Sequence, residues 1–143
     1  MAPLYECKEC GFSLWNPIAR LTVSTLGLYD DGRFPGRCLL VLNEHFSQWE
    51  VLDRGLMQPF IEDAQRAARA ISRASGSPRV NFAILGNTEP HVHCHLIPRR
   101  SEGEPNPKKS PWNDPRPVKK LLPDARRILE RAIASEVLRG DHQ

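Results

Sequence analysis

The chain has 143 residues, of which 40% are hydrophobic and 26% are charged, so it has ordinary globular composition and is long enough for one domain with a core over residues 1–143. The formal charge of +3 argues only weakly for nucleic acid, which we do not expect as a partner, whereas phosphate-bearing small molecules remain compatible. No apolar run approaches the ~20 residues that cross a bilayer, and no signal peptide is recognisable, so we predict a cytoplasmic protein without membrane attachment.

Short strands are predicted in the first part of the chain. FSLW and ARLTVSTLGLY have the residues of strands, and DDGRFPG after them has the residues of a turn. RCLLVLN is nearly all apolar, which predicts a central strand.

A helix is predicted over Asp53 to Ser75, because apolar residues recur at intervals of three and four with arginines opposite. Two strands follow, RVNFAILG and HVHCHLIPR, joined by NTEP. The proline-rich segment 101–117 predicts an extended loop, and VKKLLPDARRILERAIASEVL predicts a helix with Pro123 in its first turn or at a break. Strands joined mostly by turns, with one inserted helix, indicate an antiparallel α+β domain.

The four cysteines differ in their surroundings. Cys38 and Cys94 lie in apolar segments and are predicted to be buried small hydrophobes. Cys7 and Cys10 form a C-x-x-C, which in a cytoplasmic chain indicates a zinc half-site or a redox pair.

A zinc half-site needs two more ligands, and histidines are the most plentiful candidates. His45 ends the strand CLLVLNEH and His91 begins the segment HVHCH, so both can lie near a strand end that the N-terminal loop covers. The alternatives are exposed thiols at the N-terminus and a polar strand cap at His45.

Three of the five histidines stand at alternate positions, His91, His93 and His95. In a strand these three would share one face. The triplet can be a solvated edge strand, a metal site made of three imidazoles, or a site in which the central imidazole is a nucleophile toward phosphorus. The last interpretation also explains the preceding residues, whose backbone amides and short side chains can surround phosphate oxygens; these are Gly86, Asn87 and Thr88.

The segment LGNTEPHVHCHLIPR resembles the signature of the histidine-triad (HIT) nucleotide-binding family. The resemblance extends to RFPGRCLLVLNEH and to the N-terminal CKEC, as in the zinc-bearing bacterial branch of diadenosine-tetraphosphate hydrolase-like proteins. It covers residues 5 to about 112, which leaves the C-terminal helix outside it. It implies a HIT-like antiparallel sheet with an inserted amphipathic helix and a C-terminal helix, and a homodimer joined through a strand and the inserted helix.

The resemblance also implies roles for individual residues. His93 would be the nucleophile that becomes nucleotidylated, and His95 would donate a hydrogen bond to the transferred phosphate. Asn81 matches a position that contacts ribose or phosphate, one residue nearer the triad than usual, while Asn87 and Thr88 stand where many members have Gln and Ser or Thr. His91 would complete a structural zinc site, whose ligands are Cys7, Cys10, His45 and His91.

The resemblance predicts a nucleotide hydrolase acting at the α-phosphate of a dinucleoside polyphosphate or a nucleoside phosphoramidate, through a covalent nucleotidyl-His93 intermediate. Two alternatives stay open. In the first, the protein is a nucleotidyltransferase or phosphorylase that forms the same intermediate. In the second, it is a zinc-stabilised nucleotide-binding module without turnover, which is favoured if the differences from the family pattern at Asn81 and Asn87 impair catalysis.

Overall fold

A computed structural model of the chain describes residues 5–140. In this range five strands form an antiparallel sheet and two short strands form a separate hairpin. The strands are β1 (Tyr5–Glu6), β2 (Ser13–Leu14), β3 (Pro17–Arg20), β4 (Ser24–Leu28), β5 (Cys38–Leu42), β6 (Arg79–Ala83) and β7 (His93–Arg99), and the helices are α1 (Arg54–Ser75) and α2 (Pro123–Gly140). The order across the sheet is β3-β4-β5-β7-β6. The predicted α+β fold, with its inserted and C-terminal helices, is confirmed.

The two faces of the large sheet are covered differently. On one face, Leu40 and Leu96 pack in a core with Phe60 of α1 and Ile133 of α2. The opposite face is covered by the β1–β2 hairpin, whose apolar side chains cluster with Val41. The sheet is therefore sandwiched between two helices and a small N-terminal hairpin.

Strand β7 carries histidines on the hairpin face. Its pairing with β5 places His93 opposite Val41 and His95 opposite Leu39, whereas Cys94 belongs to the core on the helix face. This is the alternation that the sequence predicts. His91, however, precedes the strand, because its backbone N–H donates to the carbonyl of Glu89 at 2.8 Å rather than to a neighbouring strand.

The segment ARLTVSTLGLY forms two strands, so the prediction of one strand is wrong. The chain turns between β3 and β4, where the buried carboxylate of Asp63 accepts hydrogen bonds from the backbone of Thr22 and Val23 and from the Ser24 hydroxyl. A carboxylate contributed by a distant helix therefore makes this turn, and the local sequence gives no sign of it.

Both helices have ends that the sequence explains. Asp53 accepts a hydrogen bond from the backbone of Leu56 and begins α1, while Gly76 ends it in the left-handed conformation at φ 71°. Helix α2 begins at Pro123. The prediction that residues 118–122 belong to this helix is therefore wrong, whereas Pro123 does lie in its first turn. Proline suits the first helical position and holds the residue before it in an extended conformation. No helix within residues 5–140 is long and apolar enough to cross a bilayer.

Candidate active site and metal centre

Four metal-binding side chains meet beside the N-terminal hairpin. Cys7 and Cys10 come from the loop between β1 and β2, His45 follows β5, and His91 precedes β7. Their ligand atoms all lie within 4.8 Å of one another. The structure therefore brings together the four residues that the sequence predicts as zinc ligands.

The distances in this cluster match one tetrahedral zinc ion. Cys7 Sγ lies 3.5 Å from His45 Nδ1, Cys10 Sγ lies 3.5 Å from His91 Nδ1, and the two Nδ1 atoms are 3.3 Å apart. With zinc bonds of about 2.3 Å to sulfur and about 2.0 Å to nitrogen, tetrahedral geometry places sulfur and nitrogen about 3.5 Å apart and two nitrogens about 3.3 Å apart. The donor set and its spacing fit a closed structural site.

His91 is oriented for metal binding by the backbone. Its Nε2 donates to the carbonyl of Leu42 at 2.7 Å, which leaves the lone pair of Nδ1 directed at the cysteines. Burial lowers the pKa of His91, and the neutral imidazole is the form that binds a metal. Burial acts to raise the pKa of the Cys7 thiol, but the backbone N–H groups of Cys10 and Glu9 outweigh it and lower that pKa, which favours a thiolate.

The imidazole of His93 is held with one nitrogen free. Nδ1 of His93 donates to the carbonyl oxygen of His91 at 2.7 Å, so the proton of the neutral ring is on Nδ1 and Nε2 carries the lone pair. The ring is 6% exposed and lines the cavity described below. A fixed imidazole with an unprotonated nitrogen at a cavity wall can act as a nucleophile.

Phe12 links the metal cluster to His93. Its ring centroid lies 5.6 Å from that of His91 and 5.2 Å from that of His93. Phe12 follows the C-x-x-C loop by two residues, so the loop that would hold the metal also positions an apolar ring against the free histidine.

His95 is bound by Arg37, the residue immediately before β5. The guanidinium NH2 group lies 3.1 Å from Nδ1 of His95, and its NH1 group donates to the carboxylate of Asp31 at 3.0 Å. Arginine has no acceptor, so Nδ1 of His95 accepts and the ring carries its proton on Nε2. Burial, followed by the charge of Arg37, lowers the pKa of His95 to about 4.

A cavity of about 730 Å³ opens over these histidines. His93 and His95 line it, and so do three predicted residues of the loop after β6, Gly86, Asn87 and Thr88. Gly86 has φ 77°, a conformation that other residues adopt only with strain. The remaining lining is largely apolar and aromatic, from Phe12, Tyr29, Leu39, Leu85 and Trp112, together with Gly11, Ser13, Arg37 and Glu89.

Asn81 does not line this cavity. It lies on β6 opposite Ile97, and its side-chain oxygen accepts a hydrogen bond from Arg99 at 2.7 Å. Arg99 is itself paired with Glu104 at 2.8 Å. The structure therefore does not place Asn81 with the triad, and the predicted contact with ribose or phosphate stays a prediction.

Two residues of the site, Arg37 and Phe12, are missed by the sequence analysis. A charged residue at the start of an otherwise apolar strand is the signal that could have identified Arg37, since such a side chain needs a partner when buried. Phe12 offers no comparable signal. Trp112, in the proline-rich loop, lies edge-on to His95 with ring centroids 5.3 Å apart and is 51% exposed.

Residues 22–102 match the HIT domain family model, and this segment contains all three histidines of the triplet. The chain belongs to the HIT domain family. The HIT segment includes His45 but begins after Cys7, Cys10 and Phe12, so half of the metal cluster lies outside it.

Solved HIT structures have the same fold. A HIT protein from Sinorhizobium meliloti 1021 superposes with a TM-score of 0.73 at 23% identity, covering 87% of this chain and 88% of the other. A zinc-bound HIT family protein from Mycobacterium smegmatis gives 0.59 at 20% identity, with 83% and 84% covered. Diadenosine triphosphate hydrolase from Plasmodium falciparum gives 0.61 at 18% identity, with 97% and 84% covered.

Proposed function

We propose that the protein is a nucleotide hydrolase that acts at the α-phosphate through a covalent nucleotidyl-His93 intermediate. The observation that carries this proposal is the hydrogen bond from Nδ1 of His93 to the His91 carbonyl, which leaves Nε2 as a nucleophile beside the cavity. Membership of the HIT family and the shared fold of a diadenosine triphosphate hydrolase support a nucleotide substrate.

In the first step, Nε2 of His93 attacks the α-phosphorus. A P–N bond forms, the bond to the leaving group breaks, and the leaving group departs with the bonding electron pair. His95 donates from Nε2 to a phosphate oxygen, and the loop of Gly86, Asn87 and Thr88 surrounds the phosphate with backbone amides and short polar side chains.

In the second step, water attacks the same phosphorus and the P–N bond breaks, so the electron pair returns to His93 and the water proton passes to solvent. The product is a nucleoside monophosphate. A phosphate group that replaced water would make the same site a transferase or phosphorylase, and the intermediate would be unchanged.

The leaving group divides the candidate substrates into two classes, dinucleoside polyphosphates such as diadenosine tetraphosphate and nucleoside phosphoramidates. A second candidate function is a nucleotide-binding module without turnover. It is favoured by the position of Asn81, whose amide is bound to Arg99 rather than directed at the cavity.

Zinc has a structural role in this proposal. Cys7, Cys10, His45 and His91 would bind one ion, as expected of a zinc-bearing branch of the family, and the ion would fix the segment whose carbonyl orients His93. Zinc supplies rigidity there, and each chemical step is carried out by His93 and its neighbours.

We also propose a homodimer joined through β6 and α1. Strand β6 is at one edge of the sheet, so its outer backbone groups are available to a second copy. Phe82 on that strand is 48% exposed, so its ring is available for contact with a second copy. Light scattering coupled to size exclusion should give twice the chain mass, and Phe82→Glu should give the monomer.

The test of the proposed function is capture of the intermediate. Diadenosine tetraphosphate labelled at the α-phosphate is mixed with the protein, quenched with denaturant, and the protein is examined for acid-labile label that maps to the peptide containing His93. His95→Ala, which leaves the nucleophile in place, should still be labelled. His93→Ala should not be, and label that persisted in His93→Ala would refute the mechanism.

A further inference from the structure

We infer that Arg37 confines His95 to the role of a hydrogen-bond donor, and that the site therefore selects substrates whose leaving group departs as an anion. This inference rests on the proposed function and decides between its two substrate classes. It assigns the protein to phosphoanhydride substrates, such as dinucleoside polyphosphates, rather than to phosphoramidates.

The position of Arg37 is fixed from several sides. The residue is 5% exposed, its NH1 group donates to Asp31, and its guanidinium carbon lies 3.9 Å from the centroid of the Tyr29 ring. Trp112 lies on the same guanidinium at 5.5 Å. A guanidinium held in this way keeps its NH2 group on His95 without needing a substrate to order it.

Two of the groups that face His95 favour its neutral form: the cation of Arg37, immediately before β5, and the second imidazole of His93 on the same strand. Tyr29 and Trp112 contact the ring in T-shaped arrangements and add no carboxylate. The sheet neighbours opposite His95 are Leu39 and Ala83. The carboxylate that binds Arg37, Asp31, also pairs with Arg33.

Glu89 also lines the cavity, but within residues 5–140 the hydrogen-bond partner of the His95 ring is Arg37. The low pKa of His95, about 4, agrees with this arrangement, because burial and Arg37 both oppose a second proton. At neutral pH the ring therefore presents a neutral Nε2–H group to the cavity.

A neutral Nε2–H group stabilises a charged oxygen but does not readily release its proton. When His93 attacks a phosphoanhydride, the P–O bond breaks and the leaving phosphate keeps the electron pair as a stable anion, so no proton is required. When it attacks a phosphoramidate, the P–N bond breaks and the departing amine needs a proton from an acid. General-acid catalysis of that kind typically contributes a factor of about 10² to 10⁴, which a neutral His95 would not supply.

The experiment measures kcat/KM for diadenosine tetraphosphate and for an alkylamine phosphoramidate of adenosine 5′-phosphate. The preference of each protein is its kcat/KM for the polyphosphate divided by its kcat/KM for the phosphoramidate. The preference of each variant is then compared with that of the unsubstituted protein, so that intrinsic differences in reactivity between the two substrates cancel. Arg37→Gln retains an N–H donor and loses the charge. Arg33→Gln is the matched control, because Arg33 also binds Asp31 but does not touch His95.

The unsubstituted protein should prefer the polyphosphate by at least about 100-fold at neutral pH. Arg37→Gln should narrow that preference by about tenfold or more and introduce an acid-dependent increase in phosphoramidate cleavage, whereas Arg33→Gln should change neither. Nitrogen NMR of the unsubstituted protein should show His95 protonated on Nε2 alone at pH 7, a measurement that needs no variant to fold.

The inference is overturned if the unsubstituted protein cleaves the phosphoramidate as efficiently as the polyphosphate, if Arg37→Gln lowers both values equally, or if NMR finds His95 protonated on Nδ1. If the proposed function itself is wrong, neither substrate will give a nucleotidyl-His93 adduct. If only the inference about Arg37 is wrong, both substrates will still give the adduct.

Discussion

The carbonyl oxygen of His91 accepts the Nδ1 proton of His93 at 2.7 Å, and the side chain of His91 belongs to the metal cluster. One residue therefore orients the proposed nucleophile through its backbone and joins the cluster through its side chain.

His93→Ala should abolish turnover of diadenosine tetraphosphate while changing nucleotide affinity by less than about tenfold, because the bond that His93 makes belongs to the reaction and not to ground-state binding. His95→Ala should cost less, about 10² to 10³ in kcat, as expected for one donor to a charged oxygen. Steady-state kinetics and equilibrium nucleotide binding measure the two effects. Appreciable hydrolysis by His93→Ala would exclude covalent catalysis at that residue.

Metal analysis should find one zinc per chain. Cys7→Ser should remove it and lower the melting temperature, because zinc binding contributes directly to folding free energy. His91→Ala should lower zinc content, melting temperature and activity together. Cys38→Ala is the control, since Cys38 is buried in the core and should affect stability without changing zinc content. A metal-free preparation of undiminished stability would contradict the structural role.

The free energy of unfolding should decrease as the pH falls from 6.5 toward 4, in part because of His95. Its pKa is lowered from 6.5 to about 4 in the folded protein, so in this range the unfolded chain binds more protons and acid favours unfolding. With a discount for partial exposure of the ring, the contribution is about 2 kcal/mol, fully present above pH 6.5. His95→Asn should lack it. A stability difference between the two proteins that stays constant over this range would contradict the prediction.

Asp63→Ala should lower the free energy of unfolding by about 2 to 4 kcal/mol, because it leaves the buried Ser24 hydroxyl and two partly buried backbone N–H groups without their acceptor. Chemical denaturation monitored by circular dichroism measures the change. Glu62→Ala, at the adjacent exposed position of α1, should shift stability by less than about 0.5 kcal/mol. Equal effects of the two substitutions would mean that the turn between β3 and β4 does not depend on this carboxylate.

The fold and the metal cluster could be predicted because their signals are local. Helix α1 follows from apolar residues at helical spacing and from a capping residue at each end, and the C-x-x-C marks half of the metal cluster. The motif around His93 carries the family resemblance within one strand and its preceding loop.

The features that could not be predicted depend on pairs of residues far apart in the chain. Arg37 meets His95 across 58 positions because β5 and β7 are neighbours in the sheet, and no pattern near either residue indicates it. The turn that divides β3 from β4 depends on Asp63, which is 40 positions from Val23. In both cases tertiary pairing decides a property that local propensity does not encode.

The position of Phe12 and the C-x-x-C loop before the HIT segment has an evolutionary consequence. Half of the metal ligands and the ring against His93 come from an N-terminal hairpin, and Trp112 comes from a loop beyond the segment that ends at residue 102. Exchange of these flanking segments would alter the surroundings of the proposed nucleophile while the shared sheet and its histidines stayed the same. Substitutions in these flanking segments would therefore change the chemistry of the proposed site without changing the HIT sheet, and a fusion at the N-terminus would place new groups next to that site.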